Sequence, residues 1–315
     1  MSTPSGTSIR APSAITARGR ALLLVAAVAA LIAAAGAQAD DTFGPAVVTP
    51  ASQSFKVGRL SVTALHDAQY VVPNDAKIFG VDAGAADVAS LLKAQGVPDD
   101  RITLSVNALL VRSGARVILL DTGLGPKAHG QLLASLKDAG VAPESVTDVL
   151  ITHTHGDHVG GLVAGDGALA FPKAAIRMAA AEWSWLKTQK NMAELVTAIE
   201  PRVQTFTPGK PIAPGVTPVV LDGHTPGHVG YEIVSGKARL LDVGDLVHSS
   251  LVSLGKPEWT MGFDNDPVLA KLTRKVTLAR LAKEQELVFS PHFPFPGVGH
   301  IAGAGAEYSW KPATP

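Results

Sequence analysis

Three of the chain's 10 histidines and one aspartate fall within six consecutive positions, in Thr152-His153-Thr154-His155-Gly156-Asp157-His158. Along an extended chain His153 and His155 point the same way, because the side-chain period is two. A turn at Gly156 would bring Asp157 and His158 back toward the same spot. Imidazoles and a carboxylate gathered in one short loop are the ligand set of Zn²⁺ and neighbouring divalent cations. A polar surface loop is the plainer reading, but the density of the cluster favours metal. The sequence has no cysteine, which excludes a thiolate nucleophile, a disulfide framework and a Cys-ligated metal.

The elements that must position such a loop can be read from the flanking pattern. Val146 to Thr152 is a buried strand that runs directly into the cluster. Leu60, Val62 and Ala64 alternate with polar neighbours as a half-buried strand does. Val106–Val111 and Arg116–Leu120 flank Ser113-Gly114 as a hairpin, and the second strand ends in Asp121-Thr122-Gly123. Ala174–Met178 is a strand and Ala179–Ile199 a single long helix carrying Trp183 and Trp185. Tyr231–Val234 and Ala238–Val243 form a second hairpin. Helices are expected at 85–96, 131–139 and 267–284, and a last strand at 287–290. Asp40–Ser54, rich in Pro, Thr and Ser, reads as a flexible lead-in to a domain spanning 55–315. Three strand ends, before His153, His224 and His292, each deliver a histidine.

On these residues the chain resembles the metallo-β-lactamase superfamily of two-metal hydrolases, whose signature is His-x-His-x-Asp-His. His224-Thr225-Pro226-Gly227-His228 resembles its second ligand loop, Val243-Gly244-Asp245 its bridging-aspartate loop, and Ser290-Pro291-His292 its last ligand position. The resemblance implies one cation on His153, His155 and His224, another on Asp157, His158 and His292, and Asp245 shared. It places Asp121 and His228 behind the ligands. The implied fold is α/β, a four-layer αβ/βα sandwich of two mixed sheets flanked by helices. Implied cofactors are two divalent ions, zinc first among them, although Fe²⁺, Mn²⁺ and Co²⁺ accept the same donors.

Within the superfamily, Phe293-Pro294-Phe295-Pro296-Gly297 and the Glu182-to-Leu186 stretch look like the methyl parathion hydrolase and lactonase group. That likeness implies hydrolysis of a lactone, carboxylic ester or organophosphate triester by a hydroxide shared between the cations, with Asp157 orienting it. A homodimer is the assembly that it suggests. His248, three residues after Asp245, stands where some lactonases carry a tyrosine, and is assigned to oxyanion support or proton donation. A partly exposed loop histidine is the alternative. Trp185, Phe293 and Phe295 are expected to wall the substrate pocket. His66 and His129 lack motif context and read as loop residues.

Composition narrows the function. The 315 residues carry 27 basic and 27 acidic side chains, 46% apolar residues and 17% charged ones, which excludes a largely disordered chain. Residues 1–39 read as a signal peptide: Arg10, Arg18 and Arg20, an apolar run from Ala21 to Ala35, and Ala37-Gln38-Ala39 before Asp40. The remaining 276 residues hold 24 basic and 27 acidic side chains, against nucleic acid as a partner. A periplasmic or secreted protein with no membrane contact after cleavage is expected, acting on a small molecule. A β-lactamase is the competing enzyme; against it stand the missing Cys and the bridging Asp245. A non-catalytic metal-holding binding protein is the competing non-enzyme, against which every ligand position is filled.

Overall fold

The structure, a computed structural model, describes Met1 and residues 43–313; beyond Met1, the expected signal peptide lies outside the described residues. Eight strands form the first sheet: β1 (Gly44–Ala46), β2 (Ala51–Val57), β3 (Leu60–Pro73), β4 (Arg101–Ser113), β5 (Arg116–Leu120), β6 (Asp148–Leu150), β7 (Ala175–Ala179) and β8 (Val203–Phe206). Its order is β1-β3-β4-β5-β6-β7-β8, with β2 also paired to β3. The last three pairings, from β5 to β8, are parallel and the earlier ones antiparallel. The second sheet has six strands: β9 (Val216–Val220), β10 (Val229–Ser235), β11 (Ala238–Asp242), β12 (Leu287–Phe289), β13 (Val298–Ala304) and β14 (Glu307–Pro312). Only β11 and β12 are parallel there.

The central strands read as unbroken apolar runs because both of their faces are covered. In β4, Leu109 and Val111 point into the core between the sheets, while Ala108 and Leu110 point outward. Ile118 and Leu120 of β5 likewise oppose Leu119. From the other sheet, Tyr231, Ile233, Leu240 and Phe289 complete the central layer. Outside the first sheet lie α1 (Ala85–Ala94), α2 (Leu132–Asp138), α3 (Gly156–Val159), α4 (Ala180–Leu186) and α5 (Ala193–Ile199). The short α6 (Val252–Gly255) joins the α1 cluster through Val252, and α7 (Pro267–Glu284) seals the second sheet with Leu278 and Leu281. This is the α/β four-layer sandwich of two mixed sheets flanked by helices. Among the described residues no helix is long and apolar enough to cross a membrane.

Two expected elements are corrected. The lead-in at 40–54 is not loose from Gly44 onward: β1 pairs antiparallel with residues 69–71 and β2 with residues 60–66. Edge pairing holds these polar strands, with Ser54 Oγ 2.8 Å from Thr63 Oγ1. The long helix at 179–199 is broken into α4 and α5. Five polar residues, Lys187 to Asn191, interrupt its apolar period, and Thr188 Oγ1 donates to Trp185 O at 2.7 Å, occupying a carbonyl that the next turn would use. His66 also differs from expectation, since it lies in β3 beside a register shift rather than in a loop.

Candidate metal centre

The loops that leave the strands of both sheets meet at one edge. β6 ends at Leu150 and the chain enters the histidine loop; β11 ends at Asp242 and leads to Asp245; β12 ends at Phe289 and leads to His292. Two donor groups converge there, one of His153, His155, His224 and Asp245, the other of Asp157, His158 and His292. His224 Nε2 stands 3.2 Å from His153 Nε2 and 3.0 Å from His155 Nδ1. His158 Nε2 is 3.3 Å from His292 Nε2, and Asp157 Oδ2 is 3.5 Å from His292 Nε2.

Asp245 stands between the groups with one oxygen toward each. Its Oδ2 lies 3.3 Å from His224 Nε2 and 3.6 Å from His153 Nε2. Its Oδ1 lies 3.1 Å from His292 Nε2 and 3.2 Å from His158 Nε2. That Oδ1 is buried and has no hydrogen-bond partner. Five imidazole nitrogens, two carboxylates and an orphaned oxygen between them suit a pair of borderline divalent cations, each with mixed N and O donors.

The far side of four of the five rings is anchored, His153 Nδ1 lying 3.1 Å from Thr152 Oγ1, which aims the inner nitrogen. Asp121 Oδ2 is 2.7 Å from His158 Nδ1, while its two oxygens accept from Thr152 N at 2.8 Å and Thr152 Oγ1 at 2.7 Å. Asp121 reaches all three from a left-handed backbone, φ 59°. His292 Nδ1 donates to Ser105 O at 2.9 Å. His228 Nδ1 donates to Leu221 O at 2.7 Å, which leaves Nε2 to accept the Asp245 N–H at 3.0 Å. His228 thus sits behind the ligands, and Gly244 allows its approach: a Cβ there would lie 2.5 Å from Nε2.

Three positioning groups were not singled out from sequence. Glu182, fully buried, accepts from Thr154 N and Oγ1 through Oε1 and from Thr225 Oγ1 and Gly227 N through Oε2, tying the first histidine loop to the second. Asp264 Oδ1 is 3.1 Å from His224 Nδ1, and its Oδ2 accepts from the buried Arg274 at 2.8 Å. Asn107 donates to the carbonyls of Pro291 and Phe293, each at 2.9 Å, clamping the His292 loop to β4. Each holds main chain or a ring from a distant stretch, so no local spacing reveals it.

Charge follows from this packing. Burial pushes the His224 imidazolium down, but the Asp245 and Asp264 carboxylates outweigh it and raise its pKa to about 9. The same contest raises His158, where burial is overcome by Asp245, Asp157 and Asp121. Burial, with His224 beside it, lowers His155 to about 4 and His228 to about 3. Burial would raise Asp245, but the imidazoles of His292, His158 and His153 hold it well below the usual carboxylate range.

A cavity of about 350 Å³ opens over the donors, lined by Tyr70, Leu104, Leu124 and Phe263 beside His155, Asp157 and His248. His248 is not the exposed loop residue of the alternative reading: it is buried, faces this cavity, and has both ring nitrogens without a hydrogen-bond partner, Nε2 being 3.3 Å from Asp245 Oδ2. The expected pocket wall is corrected at two positions. Phe293 is fully buried in the core of the second sheet, edge-on to Trp310 at 4.8 Å. Phe295 packs between the sheets and stacks on His66 at 5.0 Å. Asn107, donating to the Phe293 carbonyl, holds this stretch against β4. Trp185 does stand at the site, edge-on to His155 at 5.9 Å, outside the cavity lining.

Residues 101–292 match the family model described as the metallo-beta-lactamase superfamily, more than half of the chain. The chain belongs to the metallo-beta-lactamase superfamily. Its superfamily likeness extends through known structures. The chain is 28% identical to AidC, a dizinc quorum-quenching lactonase solved with the product N-hexanoyl-L-homoserine, covering 84% of this chain and 98% of that one at a TM-score of 0.79. It is 31% identical to AbOPH, a hydrolase in the beta-lactamase superfamily, over 85% of this chain and 99% of that one, TM-score 0.76. Among curated proteins, the N-acyl homoserine lactonase of Bacillus cereus is 24% identical over 69% of this chain and 92% of its own length. Metallo-beta-lactamase domain-containing protein 1 of Mus musculus is 52% identical over 59 residues, 19% of this chain and about a fifth of that relative's length. The chain is therefore a hydrolase of this superfamily, with two donor groups that could each hold a metal ion.

Proposed function

We propose that this hydrolase is exported and cleaves a small lactone or carboxylic ester with two zinc ions. The observation that carries the reading is the placement of Asp245, one oxygen toward each of two donor groups, beneath a largely apolar cavity. The lactonase relatives support the substrate class, and the basic, apolar and Ala-x-Ala segments of residues 1–39 support export.

His153, His155 and His224 would hold one ion and Asp157, His158 and His292 the other, with Asp245 shared. When bound, such ions polarise a carbonyl and bring the pKa of water from about 15.7 to near neutrality. The chain's own residues do the rest. Asp157, the most exposed of the carboxylates at the centre, faces the cavity and is placed to accept a proton from the attacking water. His248 lines the same cavity, its ring stacked 5.9 Å from that of His292, and is placed to donate to the leaving oxygen. Tyr70, Leu104, Leu124 and Phe263 shape an apolar seat that excludes bulk water.

The deciding experiment is a hydrolysis panel of lactones, aryl esters, a phosphotriester and a β-lactam, with and without chelator. Lactone or ester turnover that chelation abolishes and zinc restores is expected; fast turnover of the β-lactam alone would replace this reading. Export is tested by the N-terminus of the secreted protein, expected at Asp40.

A further inference from the structure

The first sheet gathers positive charge at the strand ends remote from the metal donors. Its parallel strands β5 and β6 lead toward the donors at their carboxyl ends, Leu120 into Asp121 and Leu150 into the histidine loop. At the opposite ends of β5 to β8 lies a hollow of about 780 Å³. Arg116, Lys173, Arg177 and Arg202 border it, and among the described residues its lining holds one carboxylate, Asp148.

Strand pairing builds the cluster. Asp148 of β6 stands opposite Ile118 of β5 and Ala175 of β7. Arg116 and Arg177 are each two positions from those partners, so the side-chain period puts both on the face that carries Asp148. Asp148 is buried and its oxygens are engaged: Oδ2 accepts from Arg116 Nε at 2.9 Å and Thr147 Oγ1 at 2.7 Å, and Oδ1 from Arg116 Nη2. Burial would raise its pKa, but Arg116, Thr147 and Arg177 hold it below the ordinary carboxylate value. Arg177 Nε lies 3.0 Å from Asp148 Oδ1, yet it is buried without a hydrogen-bond partner among the described residues. Lys173 and Arg202 are exposed, and Arg202 is tied through Nη2 to the carbonyl of Pro172, the neighbour of Lys173.

A single carboxylate does not offset this many cations, and a multivalent anion would relieve their mutual repulsion. Guanidinium forks match the oxygens of a phosphate group, which carries about two negative charges at neutral pH where a carboxylate carries one. We propose that this hollow binds a soluble small molecule through a phosphate group, with Lys173, Arg177 and Arg202 donating to its oxygens. Its volume falls within the roughly 300 to 1,000 Å³ of small-molecule sites. The 27 basic residues of the chain do not exceed its 27 acidic ones, so no wider field extends the site to a long polyanion. The site stands apart from the hydrolytic reading, because none of its residues belongs to the metal centre.

Inorganic phosphate and acetate are titrated calorimetrically into the purified protein at matched ionic strength. Two variants of the hollow are compared, Arg177→Gln and the pair Lys173→Gln with Arg202→Gln. A control pair on α7, Lys275→Gln with Lys283→Gln, removes the same charge elsewhere. Phosphate should bind saturably and more tightly than acetate. Both variants of the hollow should weaken phosphate by about tenfold or more, as loss of a charge-assisted hydrogen bond does, and the control pair should not. Phosphate held at the metal centre is common to every protein compared, so the difference between variants reads the hollow alone. Circular dichroism identifies a variant that has not folded, and the exposed pair carries the test if Arg177→Gln fails to fold. Phosphate affinity that the folded variants leave unchanged, or that the control pair lowers equally, overturns the assignment, as does equal affinity for acetate. A lipid headgroup offers the same chemistry; cosedimentation with phosphatidylglycerol vesicles without binding of free phosphate would also overturn it.

Discussion

Glu182 spends both carboxylate oxygens on four donors from two loops, Thr154 on one side and Thr225 with Gly227 on the other. Glu182→Gln places an amide N–H₂ against donors, so unfolding in urea should show a loss of about 2 to 4 kcal/mol. Asp121 works on a single ring, and Asp121→Asn should weaken metal binding about 10- to 100-fold with much of the fold intact, measured by chelator competition. The charge state of the centre sets its pH dependence. His224, with its pKa raised to about 9, holds a proton at pH 7 in the metal-free protein, and that proton must leave before Nε2 can bind metal. Metal affinity should therefore weaken as pH falls from 9 toward 6, by about tenfold per unit for each proton displaced. Zinc titrations at three pH values check this, and an affinity independent of pH would contradict it. The same carboxylate–imidazole contacts stabilise the metal-free fold below pH 6.5, and that contribution is lost as pH rises through about 9. The ligands were legible because four of the seven sit in one motif and the others in short loops of similar type. Glu182, Asp264 and Asn107 were not, since their partners are distant main-chain groups or a distant ring.

At the scale of elements, the aromatic stretch after His292 shows where sequence reasoning stops. Phe293-Pro294-Phe295 sits one residue from a ligand, and nearness in sequence suggested a pocket wall. Main-chain pairing between β4 and the His292 loop turns both rings into the cores instead. The consequences can be separated by measurement. Phe293→Ala should lower the free energy of unfolding by about 3 to 5 kcal/mol. Phe263→Ala, at the half-exposed mouth of the cavity, should chiefly raise KM by several-fold while costing little stability. Reversal of the two effects would mean that the assigned wall is wrong. The buried strands were readable because both faces of β4 and β5 are covered, which leaves a continuous apolar signature. The polar edge strands β1 and β2 were not, because their pairing with β3 is a main-chain property that composition does not carry. The break between α4 and α5 was written in the sequence as the Lys187–Asn191 interruption, and helix-forming residues on both sides concealed it.

For the whole molecule, two sheets packed face to face bring loops from sequence positions as far apart as 121 and 292 to one edge. The sandwich supplies rigidity there, and the metal centre depends on it because no single loop carries a full ligand set for two cations. Loss of a central-layer side chain, as in Leu120→Ala, should cost about 2 to 5 kcal/mol and lower metal occupancy with it. The most direct test of the account is metal content measured alongside activity, for the purified protein and for Asp245→Ala. About two divalent ions per chain are expected in the unaltered protein, with at least one lost, together with lactone or ester hydrolysis, in the variant. Full hydrolysis by a preparation free of metal, or two ions retained in the absence of the Asp245 carboxylate, would contradict the shared-aspartate centre.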